Sequence, residues 1–350
     1  MKNTTVIVIT GLMSWITTHS MAQAEKGTAF LDAESAGPDF KVQGEYTGLV
    51  GGTVKIAAQI IALGDGRFEG ILYAAGLPGD GWDGKLRFHL KGERQGDVSH
   101  FAGAHGERLK FVNENFSGRI VDGIFTGRAT MFRNVVDDHE FRMHRVQRES
   151  PTLGAKPPQN AIVLFDGSDV DEWIDGTLEE GGLLGIGTVS RRHFGSVMFH
   201  IEFRTPFMPF DRGMKRGNSG VYVKNEYEIQ VVDSFGWNSS NRKFERLSGF
   251  GRCGGLHEML KPRINVCFPP LSWQTYDIDY TMARFNDAGE KLAPALLTVR
   301  HNGVLIHDRV VLPATPAESP TTNERATGPL FLQNHRDPVR YRNIWAVPRS

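Results

Sequence analysis

The stretch Gly217–Asp233 constrains this chain most, because a glycine-bounded turn opens two runs of strict two-residue alternation. Val221 and Val223 alternate with Tyr222 and Lys224. Tyr227, Ile229 and Val231 then alternate with Glu228 and Gln230, and Asn225-Glu226 is the predicted turn between the runs. A period of two belongs to a strand, and such a hairpin buries one face against a second sheet. The opposite face carries Glu228 and Gln230 together, their Cα atoms roughly 7 Å apart by strand geometry. That face is the first place to look for chemistry.

The same period recurs in Val197–Arg204, where Val197, Phe199, Ile201 and Phe203 face one way and His200, Glu202 and Arg204 the other. Further strands are predicted at 162–165, 273–280, 296–301, 304–311, 328–334 and 339–346. Amphipathic helical periods that could close a βαβ crossover are nearly missing, so the expected fold is all-β, with an antiparallel two-sheet sandwich in the second half. From Phe40 to Arg148 short strands broken by glycine predict a smaller antiparallel β domain, either barrel or sandwich. Asp122-Gly123 between two β runs marks a hairpin within it, and Arg108–Val112 is one of its predicted strands. Ser150–Ala161, rich in proline and small residues, reads as a linker, which divides the chain into 25–149 and 162–350.

Ahead of these, Lys2, the apolar run Val6–Ile16 and the Ala22-Gln23-Ala24 pattern form a three-part export signal over residues 1–24. The mature chain is therefore expected to start near Glu25, in the periplasm or outside the cell, with no membrane span left after cleavage. Basic and acidic residues balance at 40 each, so no global field favours nucleic acid. Export permits a disulfide between Cys253 and Cys267, whose closure would contribute roughly 3 kcal/mol; two buried thiols are the alternative. In the loop Gly76–Lys85, Asp80 and Asp83 offer oxygens to a calcium ion, although aspartate-glycine pairs are also ordinary turn chemistry. Trp82 in the same loop offers a face to a sugar ring.

Several motifs occur in a characteristic order: Leu164-Phe165-Asp166-Gly167 with Trp173, the strand end Phe203-Arg204, Asn218-Ser219-Gly220-Val221, and Tyr227-Glu228-Ile229-Gln230-Val231 with Asp233. They continue with Trp273-Gln274-Thr275-Tyr276-Asp277 and with Leu332-Gln333-Asn334-His335 leading to Tyr341-Arg342-Asn343-Ile344-Trp345. Together they resemble the 3-keto-disaccharide hydrolase domain family over Ala161–Ser350, and the region in front resembles an accessory β domain of planctomycete-type proteins. The resemblance implies a concanavalin A-like jelly-roll sandwich and activity on 3-keto-glycosides. It also implies a tyrosine where this chain has His257.

A ketone at C3 acidifies the C2 proton, so cleavage needs a base, a proton donor to the departing oxygen, and donors for the enolate. Glu228, Asp233 and His335 are the catalytic candidates. Asp233 requires a β-bulge to reach the Glu228 face. Spaced as E-x-Q-x-x-D, Glu228 and Asp233 are also similar to the paired carboxylates of laminarinase-type glucanases, with Gln230 replacing the middle aspartate. His335 could alternatively hold a divalent transition metal. Gln230, Gln333, Asn218, Glu202, Arg204 and Trp82 are the candidate substrate-binding residues, with Asn218 donating to a carbonyl and Glu202 pairing with Arg204. A non-catalytic carbohydrate-binding protein is the alternative reading, since lectins share this fold.

Overall fold

The computed structural model describes residues 25–85, 87–103, 116–131, 136–236, 251–288, 290–312 and 327–349. The predicted export signal and the predicted strand Arg108–Val112 lie outside the described residues. Eight antiparallel strands meander and close on themselves in sequence order: β1 (Gly44–Val50), β2 (Val54–Ala62), β3 (Arg67–Ala74), β4 (Arg87–Gln95), β5 (Val98–Gly103), β6 (Ser117–Val121), β7 (Ile124–Met131) and β8 (Val136–Val146). Of the two architectures open for this half, the barrel is the one formed, β8 pairing back onto β1. Its interior is aromatic, with Phe68, Phe101, Phe125 and Phe141 buried around Tyr46, each such ring contributing about 1.5–3 kcal/mol on burial. Asp122 and Gly123 both take positive φ (47° and 73°) in the two-residue turn from β6 to β7, as a hairpin of this kind requires. A short helix, α1 (Gly37–Val42), lies ahead of the barrel, and its Asp39 accepts hydrogen bonds from the Gly66 amide and the Arg94 guanidinium.

The second half is a two-layer antiparallel sandwich. Its strands are β9 (Ile162–Phe165), β10 (Trp173–Ile174), β11 (Leu178–Glu179), β12 (Leu183–Leu184), β13 (Thr188–Phe194), β14 (Val197–Arg204), β15 (Ser219–Val223) and β16 (Tyr227–Val231). They continue with β17 (Gln274–Thr281), β18 (Arg284–Phe285), β19 (Lys291–Ala293), β20 (Ala295–His301), β21 (Val304–Leu312), β22 (Gly328–Leu332) and β23 (Arg340–Pro348). One sheet has five strands in the order β10-β13-β22-β15-β16. The other has eight, β11-β12-β23-β14-β17-β20-β21 with β9 beside β23. The chain is thus all-β, a jelly-roll sandwich behind a smaller antiparallel β unit. Val197, Phe199, Ile201 and Phe203 from one sheet meet Val221, Val223, Tyr227, Ile229 and Val231 from the other in one core.

Seven strands were not predicted from the sequence: β10, β11, β12, β18 and β19, each only two or three residues long, and the longer β5 and β13. β5 is only six residues long, and β13 carries Arg191, Arg192 and His193 where its pairing with β22 shifts register. The hairpin turn also starts one residue early, since Lys224 and Asn225 both have positive φ (57° and 58°). Lys224 therefore leaves the alternation and is fully buried, its Nζ donating to Glu226 and to the Tyr280 hydroxyl.

Ser150–Ala161 does not run free between the units. The Ser150 hydroxyl meets that of Thr275, the Gly154 amide donates to Glu202, and the Ala155 carbonyl accepts from Asn343 and Trp345. The barrel and sandwich also touch directly: Phe30 bridges to Phe207, and Arg216 reaches the Ala62 carbonyl and the Gln43 amide. No helix among the described residues is long and apolar enough to cross a membrane.

Candidate active site

The hairpin places Gly220 opposite Gln230 and Tyr222 opposite Glu228, in continuous register with no bulge. Because Val221, Val223, Tyr227, Ile229 and Val231 fill the core, these four residues share the outer face of the five-stranded sheet. The Tyr222 hydroxyl donates to Glu228 Oε2 at 2.8 Å, and Gln333 Nε2 donates to that hydroxyl at 3.1 Å. Gly220 makes room for the carboxylate: a Cβ there would sit 2.3 Å from Glu228 Oε1.

The edge of β16 is extended by 253–260. Gln230 and Gly254–Gly255 exchange backbone hydrogen bonds of 2.8 Å, and the His257 amide donates to the Glu228 carbonyl at 3.1 Å. This pairing brings His257 Nδ1 within 3.7 Å of Glu228 Oε2. The position where the family resemblance implied a tyrosine thus supplies an imidazole at the carboxylate. His257 was not among the candidate residues, although its replacement of that tyrosine was the signal that could have found it.

Gln230 is buried, and its Nε2 donates to Asn218 Oδ1 (2.7 Å), the Ser219 carbonyl (2.8 Å) and the Val231 carbonyl (3.0 Å). Those bonds fix the amide, and its Oε1 is left buried with no hydrogen-bond partner among the described residues, as is Gln333 Oε1. A buried, unpaired amide oxygen is costly unless a donor arrives from outside.

Other sequence expectations are corrected. The bonds of Asn218 run within the protein: Nδ2 donates to the Met214 carbonyl, the backbone N–H donates to Asp337, and Oδ1 accepts from Gln230. It positions Gln230 instead. His335 is exposed, two residues before Asp337, whose carboxyl burial pushes above the usual range. Asp233 is not in this face at all. β16 ends at Val231 without the required bulge, and Asp233 is buried against Arg216 at 2.5 Å, beside the barrel. Asp233 therefore does not supply the second carboxylate that the glucanase pairing would need beside Glu228.

Glu202 and Arg204 lie on the outer face of the eight-stranded sheet, since β14 turns its apolar set inward to the shared core. Nor do they pair with each other. Glu202 accepts from the Gly154 amide (2.5 Å), Arg342 (2.7 Å) and Asn343 (2.9 Å), while Arg204 lies over the Trp273 ring. Burial favours the neutral form of Glu202, but His200, Asn343, Arg342 and the Gly154 amide together hold its pKa down to about 2. His200 bonds Asp277 at 2.7 Å and stacks on Trp345. This second cluster is a structural seam beneath 150–155.

Cys253 and Cys267 are free, buried thiols and not a disulfide. Cys253 meets the Tyr276 hydroxyl at 3.1 Å and Cys267 points to the carbonyls of Phe268 and Val232, so each sulfur is already held by its own contacts. Asp83 caps its own turn by accepting from the Lys85 amide. Among the described residues no group of three or more His, Cys, Asp or Glu side chains is assembled to hold a metal ion.

The sequence matches the family of 3-keto-alpha-glucoside-1,2-lyase-like domains over residues 160–347, more than half of the chain. The chain belongs to this family. Glu228, His257, Gln230 and Gln333 all fall within the matched domain, so the face described above is a face of a glycoside-acting enzyme domain. Among solved structures, three chains described as candidate glycosyl hydrolases from Parabacteroides distasonis ATCC 8503 are similar. One is 26% identical with a TM-score of 0.48, covering 55% of this chain and 85% of its own. The others are 16% and 18% identical with TM-scores of 0.40 and 0.37, covering 55% and 54% of this chain and 95% and 99% of their own. No curated protein matches the sequence.

Proposed function

We propose that this protein cleaves 3-keto-glycosides by elimination across C1–C2. The observation that carries the reading is Glu228 beside His257, with the unpartnered amide oxygens of Gln230 and Gln333 on the same face of a domain of this family. The Glu228 carboxylate removes the C2 proton, and the electron pair moves into the C3 ketone as an enolate. As the enolate collapses, the C1–O bond breaks and His257, protonated, delivers a proton to the departing oxygen. The products are an unsaturated 3-keto sugar and the free alcohol, and addition of water to the former completes a net hydrolysis. Tyr222 holds the carboxylate in its rotamer, and Gln230 and Gln333 orient the ring through its hydroxyls.

Residues 1–24 support export, which places the reaction in the periplasm or outside the cell, and 25–149 serve as an accessory domain. The test is turnover of 3-keto-trehalose against trehalose, with and without deuterium at C2. Turnover confined to the keto sugar and slowed by deuterium is the expected result. Equal turnover of plain trehalose, or sugar binding without turnover, would overturn the proposal.

A further inference from the structure

The loop Gly76–Lys85 takes no part in the face around Glu228, yet it is firmly built. Leu77 is fully buried, and its carbonyl accepts from the amides of Asp80 (2.8 Å) and Trp82 (3.2 Å). The loop also seats on the sandwich: a Cβ on Gly79 would come within 3.0 Å of Val266 and 3.1 Å of Val304. Trp82 is thereby pinned at the seam between barrel and sandwich, its ring 5.0 Å from that of Tyr73 in an edge-to-face contact. An aromatic residue on a glycine-rich turn would ordinarily be mobile. Here its place is set by both halves of the molecule.

Beside it opens a cavity of about 410 Å³, within the size range of small-molecule sites, which favour such seams. The barrel contributes Tyr73, Trp82, Asp83 and Arg87, and the sandwich contributes Arg252 and Arg263. Among the described residues, three guanidinium groups and one carboxylate thus line the cavity around an indole. Guanidinium forks bind carboxylates in bidentate fashion, and an indole packs against the apolar C–H face of a pyranose.

We propose that this cavity is a second saccharide site, for a ring bearing a carboxylate, a hexuronate, with Trp82 as the platform and Arg252 and Arg263 as the carboxylate's partners. Such a site tethers acidic glycans to the protein away from the Glu228 face, and it requires both halves of the chain to exist. It stands independently of the reaction proposed at Glu228.

The experiment is calorimetric titration of the purified chain with methyl glucuronide, methyl glucoside and inorganic sulfate. The expected result is binding of the glucuronide about tenfold or more tighter than either the glucoside or sulfate. Trp82→Ala and Arg263→Ala should each weaken it about tenfold. Because Arg263 is exposed, Arg263→Ala keeps the fold, which its thermal unfolding verifies. Glu228→Gln should bind the glucuronide unchanged. No binding, equal binding of glucoside, equal binding of sulfate, indifference to both cavity variants, or loss of binding in Glu228→Gln would each overturn the proposal.

Discussion

The two outer faces of the sandwich carry nearly the same pair of residues and use them oppositely. On one, Glu202 lies 3.5 Å from His200; on the other, Glu228 lies 3.7 Å from His257. The difference is in what surrounds the carboxylate. Glu202 is saturated by a backbone amide, a guanidinium and an amide side chain, all supplied by the protein to knit β14, β23 and the 150–155 segment together. Around Glu228 a tyrosine hydroxyl and an imidazole approach, and two amide oxygens on the same face have no donor among the described residues. A carboxylate whose acceptor capacity is met internally holds structure, whereas one set among unmet acceptors is placed for a ligand. Asp233, locked to Arg216, belongs with Glu202.

The largest test of that division is Asp233→Ala. It strands Arg216 in the interior and should cost about 3–5 kcal/mol in chemical denaturation, with turnover per folded molecule unchanged. His257→Gln should do the reverse, cutting kcat/KM on 3-keto-trehalose about 10²-fold with an unaltered unfolding midpoint. Glu202→Gln should cost about 2 kcal/mol of stability and leave the reaction alone. The pH dependence has a definite sign. Since folding lowers the Glu202 pKa from its ordinary 4.5 to about 2, its contribution is full above pH 4.5 and is lost as pH falls through about 2. Acid titration of stability should show that loss in the parent chain and not in Glu202→Gln. Smallest is Gly220→Ala, whose methyl displaces the Glu228 carboxylate and should slow turnover about tenfold in a steady-state assay without unfolding the sheet.

Much of this was visible in the residues, for identifiable reasons. Alternation in Val197–Arg204 and in the 221–231 hairpin reports which side chains enter the core, and that alone puts Glu228 and Gln230 on an outer face. Alternation does not say to which sheet a strand belongs, so Glu202 could be grouped with Glu228 although the core separates them. It also does not say where the chain leaves the sheet. Asp233 lies two residues past the end of β16, where local spacing ceases to carry direction. His257 reaches Glu228 through backbone pairing of an irregular loop with a strand edge, which has no periodic signature. Cys253 and Cys267 are neighbours through a shared hydrogen bond, but sequence separation is blind to whether thiols are bonded or merely adjacent.

The measurement that tests the account most directly is kcat/KM of Glu228→Gln on 3-keto-trehalose beside the parent chain, with thermal unfolding of both. The account predicts a loss of about 10³-fold or more with an unchanged unfolding temperature, since the amide keeps the shape and the Tyr222 hydrogen bond but cannot take a proton. Turnover within about twofold of the parent would contradict it, because an ordinary assay resolves effects far smaller than the loss of a catalytic base.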